Sequence, residues 1–470
     1  MGISQGFFVL VQFVTSVIIA RLLTPTEVGV YVLALSITGI LGLLQGLGLT
    51  GFIVREPNLS RELKQTTFTI NLMLNLALSA AIGLGGLAGG RLFHQSSVAG
   101  VLLVLALMPL LGIFEFLPAS MTERAANFKS IALIASARTA IAQALTVLLA
   151  FRGFSSLSFA YGQLAGALFS VVAYNYTGRR EILLRLRFAD WWRVGSFGAQ
   201  MLAINGVNAV ATRLSEILLV RFVGLDALGL YSRASGLNNL AWENIHLVLG
   251  RVLFVQLASL QKSGAPLRNY YLHVVEVMTA LLWPAFLGLA MVSGPFILAV
   301  YGQKWVAASY PLIFLALASA VHVSVTMSWE LFVACGETSR QSRIELTRTA
   351  VGTGLFAAGA WLGGLPGAAA GRLGDALFSA FIYRRPIDHM TATRFSDYYP
   401  IYLRSLMLAV IAVAPAAVVM LIHHGAASAP LALVLTAVIL GMIAWVIALK
   451  IFNHPLAAEL QRLTRRLAHG

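Results

Sequence analysis

The sequence predicts an all-α polytopic membrane protein of about 14 transmembrane helices, arranged as two six-helix bundles in a parallel internal repeat plus two C-terminal helices. Three observations carry this expectation. Of 470 residues, 59% are hydrophobic and only 11% are charged, with a mean hydropathy of +0.82. A soluble domain carries roughly 25% charged residues, so the charge here is too sparse to coat a globule and lipid must be the solvent for most of the surface. The second observation is where the cations lie. The third is a stretch that occurs twice, 200 positions apart.

A spanning helix needs about 20 mostly apolar residues. That ruler gives spans at 5–23, 28–54, 67–90, 99–119, 130–150, 157–176, 196–222, 228–250, 270–300, 308–334, 344–362, 365–384, 401–422 and 429–452. The first apolar run, Phe7 to Leu23, has no basic region before it and reads as a retained span rather than a cleaved signal. Of the 33 Lys and Arg, 24 fall in or beside alternate loops beginning with Arg55, Arg61 and Lys64, or in the C-terminal tail. Only five (Arg21, Arg91, Arg152, Arg221 and Lys304) lie in the opposite loops. Cytoplasmic loops collect cations, so this alternation puts both termini in the cytoplasm. It also accounts for the net charge of +15, which in a soluble protein would point to nucleic acid. No nucleic-acid partner is expected.

The largest loop, Thr177 to Ser196, is basic and carries Trp191 and Trp192, a pattern suited to an amphipathic segment at the lipid headgroups. It divides the chain into an N-terminal bundle (1–176), the linker (177–195), a C-terminal bundle (196–385) and two additional helices with a basic tail (386–470). Spans one and seven then run in the same direction. At the outer turn after each comes the repeated stretch, "RLLTPTEVGVYVLA" from Arg21 and "RFVGLDALGLYSRA" from Arg221, in which Arg, Gly, Tyr and Ala coincide. A match at equivalent sites in both halves is the mark of a parallel repeat. In the first copy, Pro25 is expected to end one helix and Glu27 to open the next.

At these residues the sequence resembles the oligosaccharide flippase (Wzx-type, polysaccharide export) family of the multidrug/oligosaccharide-lipid/polysaccharide exporter superfamily. "ARLLTPTEVGVYVLALS" is similar to that family's opening signature, and "RLSEILLVRFVGLDALGLYSRASGL" followed by "RVLFVQLASLQ" is a second matching block. "FRGFSSLSFAYGQLAGAL" fits its fifth-to-sixth span turn. Val255 stands where the family commonly has Pro, and Glu216 where it often has Asp. The resemblance implies a V-shaped pair of bundles around a central cavity. It also implies movement of an undecaprenyl-diphosphate-linked oligosaccharide to the outer leaflet of the bacterial inner membrane, coupled to H+ or Na+. Membrane lipids, a polysaccharide polymerase and glycosyltransferases are the implied partners.

Independently of family, an ionisable residue at mid-membrane costs roughly 2.5–3.5 kcal/mol on insertion scales and tends to face a bundle interior or a wet cavity. Deepest are Arg138, Arg213, Glu216, Glu243, Arg372 and Asp375, with Arg233 nearer the outer end of its span. Glu115, Glu276 and Glu330 lie nearer cytoplasmic ends, within snorkelling reach of the interface. Arg213 and Glu216, like Arg372 and Asp375, are three apart and share a helix face. Mutual neutralisation and a binding role both remain open for these pairs. Arg138 has no acid within one turn. Arg138, Arg213, Arg233 and Arg372 are the candidates for a diphosphate or sugar, which a guanidinium fork suits. Glu216, Glu243, Asp375, His246 and His322 are the candidates for ion coupling, because such groups can change charge near neutrality.

An enzyme is not expected. The outer loops are short and hold chiefly Glu27 and Asp226 as acids, and no nucleophile motif, metal-ligand cluster, phosphate loop or cofactor motif is present. The lone Cys335 excludes an intramolecular disulfide or a CxxC pair. A polysaccharide polymerase or glycosyltransferase is therefore disfavoured. A multidrug/cation antiporter and a flippase for the peptidoglycan lipid precursor, both of the same superfamily, stay open.

Overall fold

The computed structural model describes the backbone of residues 2–43, 48–92, 96–178, 186–189 and 191–457, and the side chains of these outside 2–10, 89–92, 197–208 and 243–255. The described residues are helical and contain no strand. The helices are α1 (Gly2–Leu22), α2 (Pro25–Gly42), α3 (Leu49–Arg55), α4 (Arg61–Leu92), α5 (Ser96–Leu105), α6 (Leu107–Arg124), α7 (Phe128–Phe151), α8 (Leu157–Thr177) and α9 (Trp191–Phe222). After these come α10 (Leu225–Lys262), α11 (Arg268–Met291), α12 (Ser293–Tyr301), a 3-10 turn (Gln303–Ala308), α13 (Ser309–Val323), α14 (Ser328–Ala334), α15 (Thr338–Thr391), α16 (Phe395–Ile422) and α17 (Leu431–Ile451).

Each span expected from the sequence overlaps one of these helices or a consecutive group of them. Among the described residues, nine helical segments are long and apolar enough to cross a membrane. α17 shows why lipid is their solvent: Leu433, Leu435, Ile439, Leu440, Ile443 and Ile447 are all exposed, and a helix apolar on every side has no water-facing stripe. The 54 residues of α15 hold two expected spans, 344–362 and 365–384. They meet at a kink where Gly363 and Gly364 leave helical geometry, Gly364 with φ +61°.

The chain forms two compact units, Met1–Gly229 and Leu230–Gly470. This division follows packing, whereas the halves 1–176 and 196–385 are expected from the order of spans in the sequence. The two differ because α9, which begins after the linker, packs against α2, α3 and α4.

In the first unit the break at Arg21 to Ala34 is a capped turn. Thr24 N–H donates to Glu27 Oε2 at 2.7 Å and Glu27 N–H donates to Thr24 Oγ1 at 3.3 Å, a reciprocal box that satisfies two end donors of α2. Pro25 therefore opens α2 at its first position instead of ending α1. The second copy of the stretch lies directly against the first. A methyl group at Gly29 would overlap the Leu225 carbonyl oxygen, and one at Gly229 would overlap that of Pro25. Thr26 Oγ1 donates to Asp226 Oδ1 at 3.4 Å beside them. The repeat thus produces a reciprocal contact in which each copy's glycine admits the other's backbone.

α7 and α8 pair through a Gly162–Gly166 motif, "GQLAG", whose missing side chains leave room for Ala142, Thr146 and the Arg138 carbonyl. The described end of the linker is docked on this unit. Arg187 pairs with Glu62 at 2.8 Å, its N–H donates to Thr69 Oγ1 at 3.0 Å, and Arg193 pairs with Glu56 at 2.8 Å. Trp191 and Trp192 stand exposed beside them, edge to face, as headgroup-level aromatics do.

The second unit is built on the buried side chains of Tyr271, Phe286, Phe332 and Tyr398 from α11, α14 and α16. After α17 the chain tucks His454 into the protein, 3% exposed, where Nδ1 accepts from Leu456 N–H at 3.2 Å and Nε2 lies 3.6 Å from Glu276 Oε1. Burial, reinforced by the neighbouring Arg404 and His273, pushes this imidazole down from 6.5 to about 4. The unfolded chain then binds a proton that the folded one refuses. The stability contributed by neutral His454 is complete above pH 6.5 and is lost as the pH falls through about 4. Thermal unfolding of the purified protein over this range should show a fall in midpoint on acidification that is smaller in His454→Phe.

Candidate functional site

Within the first unit, α2, α4, α5, α6, α7, α8 and α9 line an open cavity of about 580 Å³. Its lining is apolar on the α4 and α5 sides, with Leu78, Ile82 and Leu105, and polar where Thr38, Glu115, Arg138, Gln163 and Arg213 enter. A concave space with an apolar wall and a few convergent polar groups is a usual form of a small-ligand site.

Arg138 comes from α7 and Arg213 from α9. Arg138 Nη1 lies 3.2 Å from Glu115 Oε1 of α6, and the Ser170 hydroxyl of α8 donates to that same oxygen at 2.6 Å. On the other wall, Arg213 Nη1 lies 3.0 Å from Glu216 Oε2, which also accepts from the Ser36 hydroxyl of α2 at 2.6 Å. Two arginine–glutamate–serine groups of the same construction therefore bound one cavity. The arginines are the more open members, at 35% and 37% exposed, while their acids are at 19% and 18%. Arg213 reaches its place because a methyl at Gly39 would collide with its Nε.

The sequence expectations divide accordingly. Arg138 and Arg213 are brought to one cavity, and Glu216 is held behind Arg213 as the three-residue spacing requires. The expectation that Arg138 lacks an acid holds only along its own helix, because Glu115 arrives from α6. Glu115 accordingly turns to Arg138 instead of snorkelling.

Arg233 lies in the second unit, half-buried, with its guanidinium 5.4 Å from the centre of the Trp305 ring and 5.9 Å from that of Tyr301. Arg372 stacks 4.7 Å over Phe356, and its Nε donates to the Tyr231 hydroxyl at 3.4 Å. Asp375, 4% exposed, lies 3.9 Å from Arg372 but takes its main partner from elsewhere. Arg348 Nη1 donates to both its oxygens, at 3.2 and 3.1 Å. Arg348 in turn holds Glu345 through Nη2 at 2.6 Å and Nε at 3.0 Å, and the Tyr383 hydroxyl donates to Glu345 at 2.7 Å. His322, in the last turn of α13, faces the field of Asp375, Arg348, Glu345 and Arg372. Glu243 and His246 lie on α10, and their side chains fall outside the described residues.

Glu345 and Arg348 escaped the sequence reading, although they show the same three-residue acid–base spacing as the pairs it singled out. No spacing marks Glu115 with Arg138, 23 residues apart on different helices. Among the described residues no cluster of His, Cys, Asp and Glu is arranged to hold a metal ion.

The fold is shared with two solved membrane proteins. It superposes on "Lipid II flippase MurJ, inward closed conformation" with a TM-score of 0.75, covering 97% of this chain and 99% of that one at 14% identity. The inward-facing conformation of a multidrug resistance MATE family transporter of the MOP superfamily matches with a TM-score of 0.61, over 82% of this chain and 96% of that one at 15% identity. At these identities the likeness is one of fold.

The family is carried by sequence: the chain belongs to the family described as "Polysaccharide biosynthesis protein", whose model matches residues 18–310. It is 22% identical over 341 residues to the teichuronic acid biosynthesis protein TuaB of Bacillus subtilis (strain 168), covering 71% of this chain and 70% of that protein. It is 23% identical to the lipopolysaccharide biosynthesis protein WzxC of Escherichia coli (strain K12), covering 61% and 59%. It is 25% identical to the succinoglycan biosynthesis transport protein ExoT of Rhizobium meliloti (strain 1021), covering 66% and 63%.

Proposed function

We propose that this protein is a flippase that carries an undecaprenyl-diphosphate-linked oligosaccharide across the bacterial inner membrane by alternating access, supplying lipopolysaccharide, capsule or exopolysaccharide assembly. The observation that carries the reading is the cavity wall of the first unit, where Arg138 and Arg213 stand more open than the acids behind them. Two guanidinium groups facing the apolar α4 and α5 wall of one cavity suit an anionic headgroup on a long apolar chain, because each offers planar, paired donors to phosphate oxygens. The relatives named for polysaccharide biosynthesis and transport support the substrate class. A relative named as a transport protein supports reading the chain as a carrier.

Both termini face the cytoplasm in this reading, and a polysaccharide polymerase and glycosyltransferases act before and after it. Coupling to H+ or Na+ falls to Glu216, Asp375 and His322, with Glu243 and His246 as further members. Arg233 and Arg372 belong to the second unit's share of the substrate path.

Deletion of the gene in a strain with no second flippase should accumulate lipid-linked oligosaccharide on the inner leaflet and deplete surface polysaccharide. Wild type should restore export. Arg138→Ala should fall at least about tenfold short, because a charge-assisted bond to a phosphate contributes roughly 1.5–3 kcal/mol. Unchanged surface polysaccharide after deletion would sink the reading.

A further inference from the structure

The two arginine–glutamate–serine groups share a construction that mere neutralisation of charge does not require. In each, the arginine and a serine from another helix than the acid's converge on one and the same carboxylate oxygen: Oε1 of Glu115 for Arg138 and Ser170, Oε2 of Glu216 for Arg213 and Ser36. Both serines are buried, Ser170 at 1% and Ser36 at 0% exposed. The serine hydroxyl holds each carboxylate, and the guanidinium is the more exposed member of each pair. A carboxylate held this way resembles one phosphate oxygen pair of a bound headgroup. It occupies the arginine when no ligand does, and it retains a hydrogen-bond donor of its own when the arginine leaves.

We propose that Glu115 and Glu216 are built-in anion surrogates that compete with the ligand's diphosphate for Arg138 and Arg213, and so set which headgroups enter the cavity. This rests on the diphosphate-lipid reading above. A neutral or zwitterionic headgroup cannot displace a serine-held carboxylate from a guanidinium. A diphosphate, with more charge and more acceptor oxygens, can. Selection against the bulk lipids of the membrane then comes from an internal competitor and not from the shape of the cavity alone. The apparent affinity for the correct ligand is lowered by the fraction of time the arginines are engaged.

The test is farnesyl diphosphate, farnesyl monophosphate and farnesol binding to the full-length protein in detergent, followed calorimetrically. Glu115→Gln and Glu216→Gln should each bind farnesyl diphosphate about tenfold more tightly than wild type, and their preference for diphosphate over monophosphate should shrink. Arg138→Ala and Arg213→Ala should bind it more weakly. Ser170→Ala should act oppositely to Glu115→Gln, weakening binding several-fold, because the carboxylate then has only Arg138 to hold. Its effect should vanish in the Glu115→Gln background. Opposite signs at two neighbouring positions cannot come from loss of fold. If the Gln variants bind as wild type or more weakly, as they would were the acids only positioning the arginines, the proposal is overturned while the diphosphate reading stands. If wild type and every variant fail to bind farnesyl diphosphate, the diphosphate reading falls and takes the proposal with it.

Discussion

Asp375→Ala should cost the protein much of its folded yield, while Asp375→Asn should spare most of it. Asp375 is 4% exposed and fills a space against Gly352 so tightly that a methyl there would overlap its carboxylate. Its two oxygens take the Arg348 guanidinium, with Arg372 at 3.9 Å. Removing one partner of a buried ion pair typically costs about 3–5 kcal/mol, because the other charge is left without compensation. Arg348 keeps Glu345, so the low end of that range, about 3 kcal/mol, is expected.

Asparagine retains the shape and one acceptor oxygen, and loses the charge. Fluorescence-monitored size exclusion and thermal midpoints of the two variants measure the fold. Transport by Asp375→Asn then addresses ion coupling by itself. A folded Asp375→Asn protein that exports at the wild-type rate would remove Asp375 from the coupling residues.

Valine at Gly29 or at Gly229 should be the other severe change. Each glycine lies where the opposing backbone carbonyl leaves no room for a β-carbon, so two helix starts must part to admit a side chain. Forcing extra atoms into a packed contact costs about 1–3 kcal/mol. The reciprocal geometry adds a sharper expectation. Once either valine has parted the contact, the second meets little resistance, so the double variant should lose distinctly less than the sum of the singles. Melting midpoints of the three variants decide this, and simple additivity would mean that the two glycines do not share one contact.

Much of this architecture could be read from the residues in order. The apolar runs, the alternation of cations and the doubled turn depend on lengths and spacings along the chain, and helices express these directly. The Arg213–Glu216 pair was legible for the same reason, since a spacing of three puts both on one face. Contacts made by tertiary packing had no such signature. Glu115 meets Arg138 because α6 and α7 lie side by side, and nothing in the order of residues states which turn of one faces which turn of the other. Asp375 likewise finds Arg348 across the α15 kink, 27 residues away, so the local spacing favoured Arg372 as its partner. Arg233 was selected for its depth, but aromatic rings from the far end of α12 and the 3-10 turn claim its guanidinium.

The docking of the linker has a consequence for biosynthesis. Glu56 and Glu62 are made early, and their partners Arg193 and Arg187 are synthesised far later, Arg193 being 137 residues after Glu56. At translation rates of about 5–20 residues per second, the interval is on the order of ten seconds. Throughout it the early loop waits with two acids beside its own cations. The ribosome then delivers the arginines that fasten it, just as α9 begins to emerge. The first unit therefore receives this clasp before most of the second unit has been synthesised, and assembly proceeds from the N-terminus with a defined point of closure.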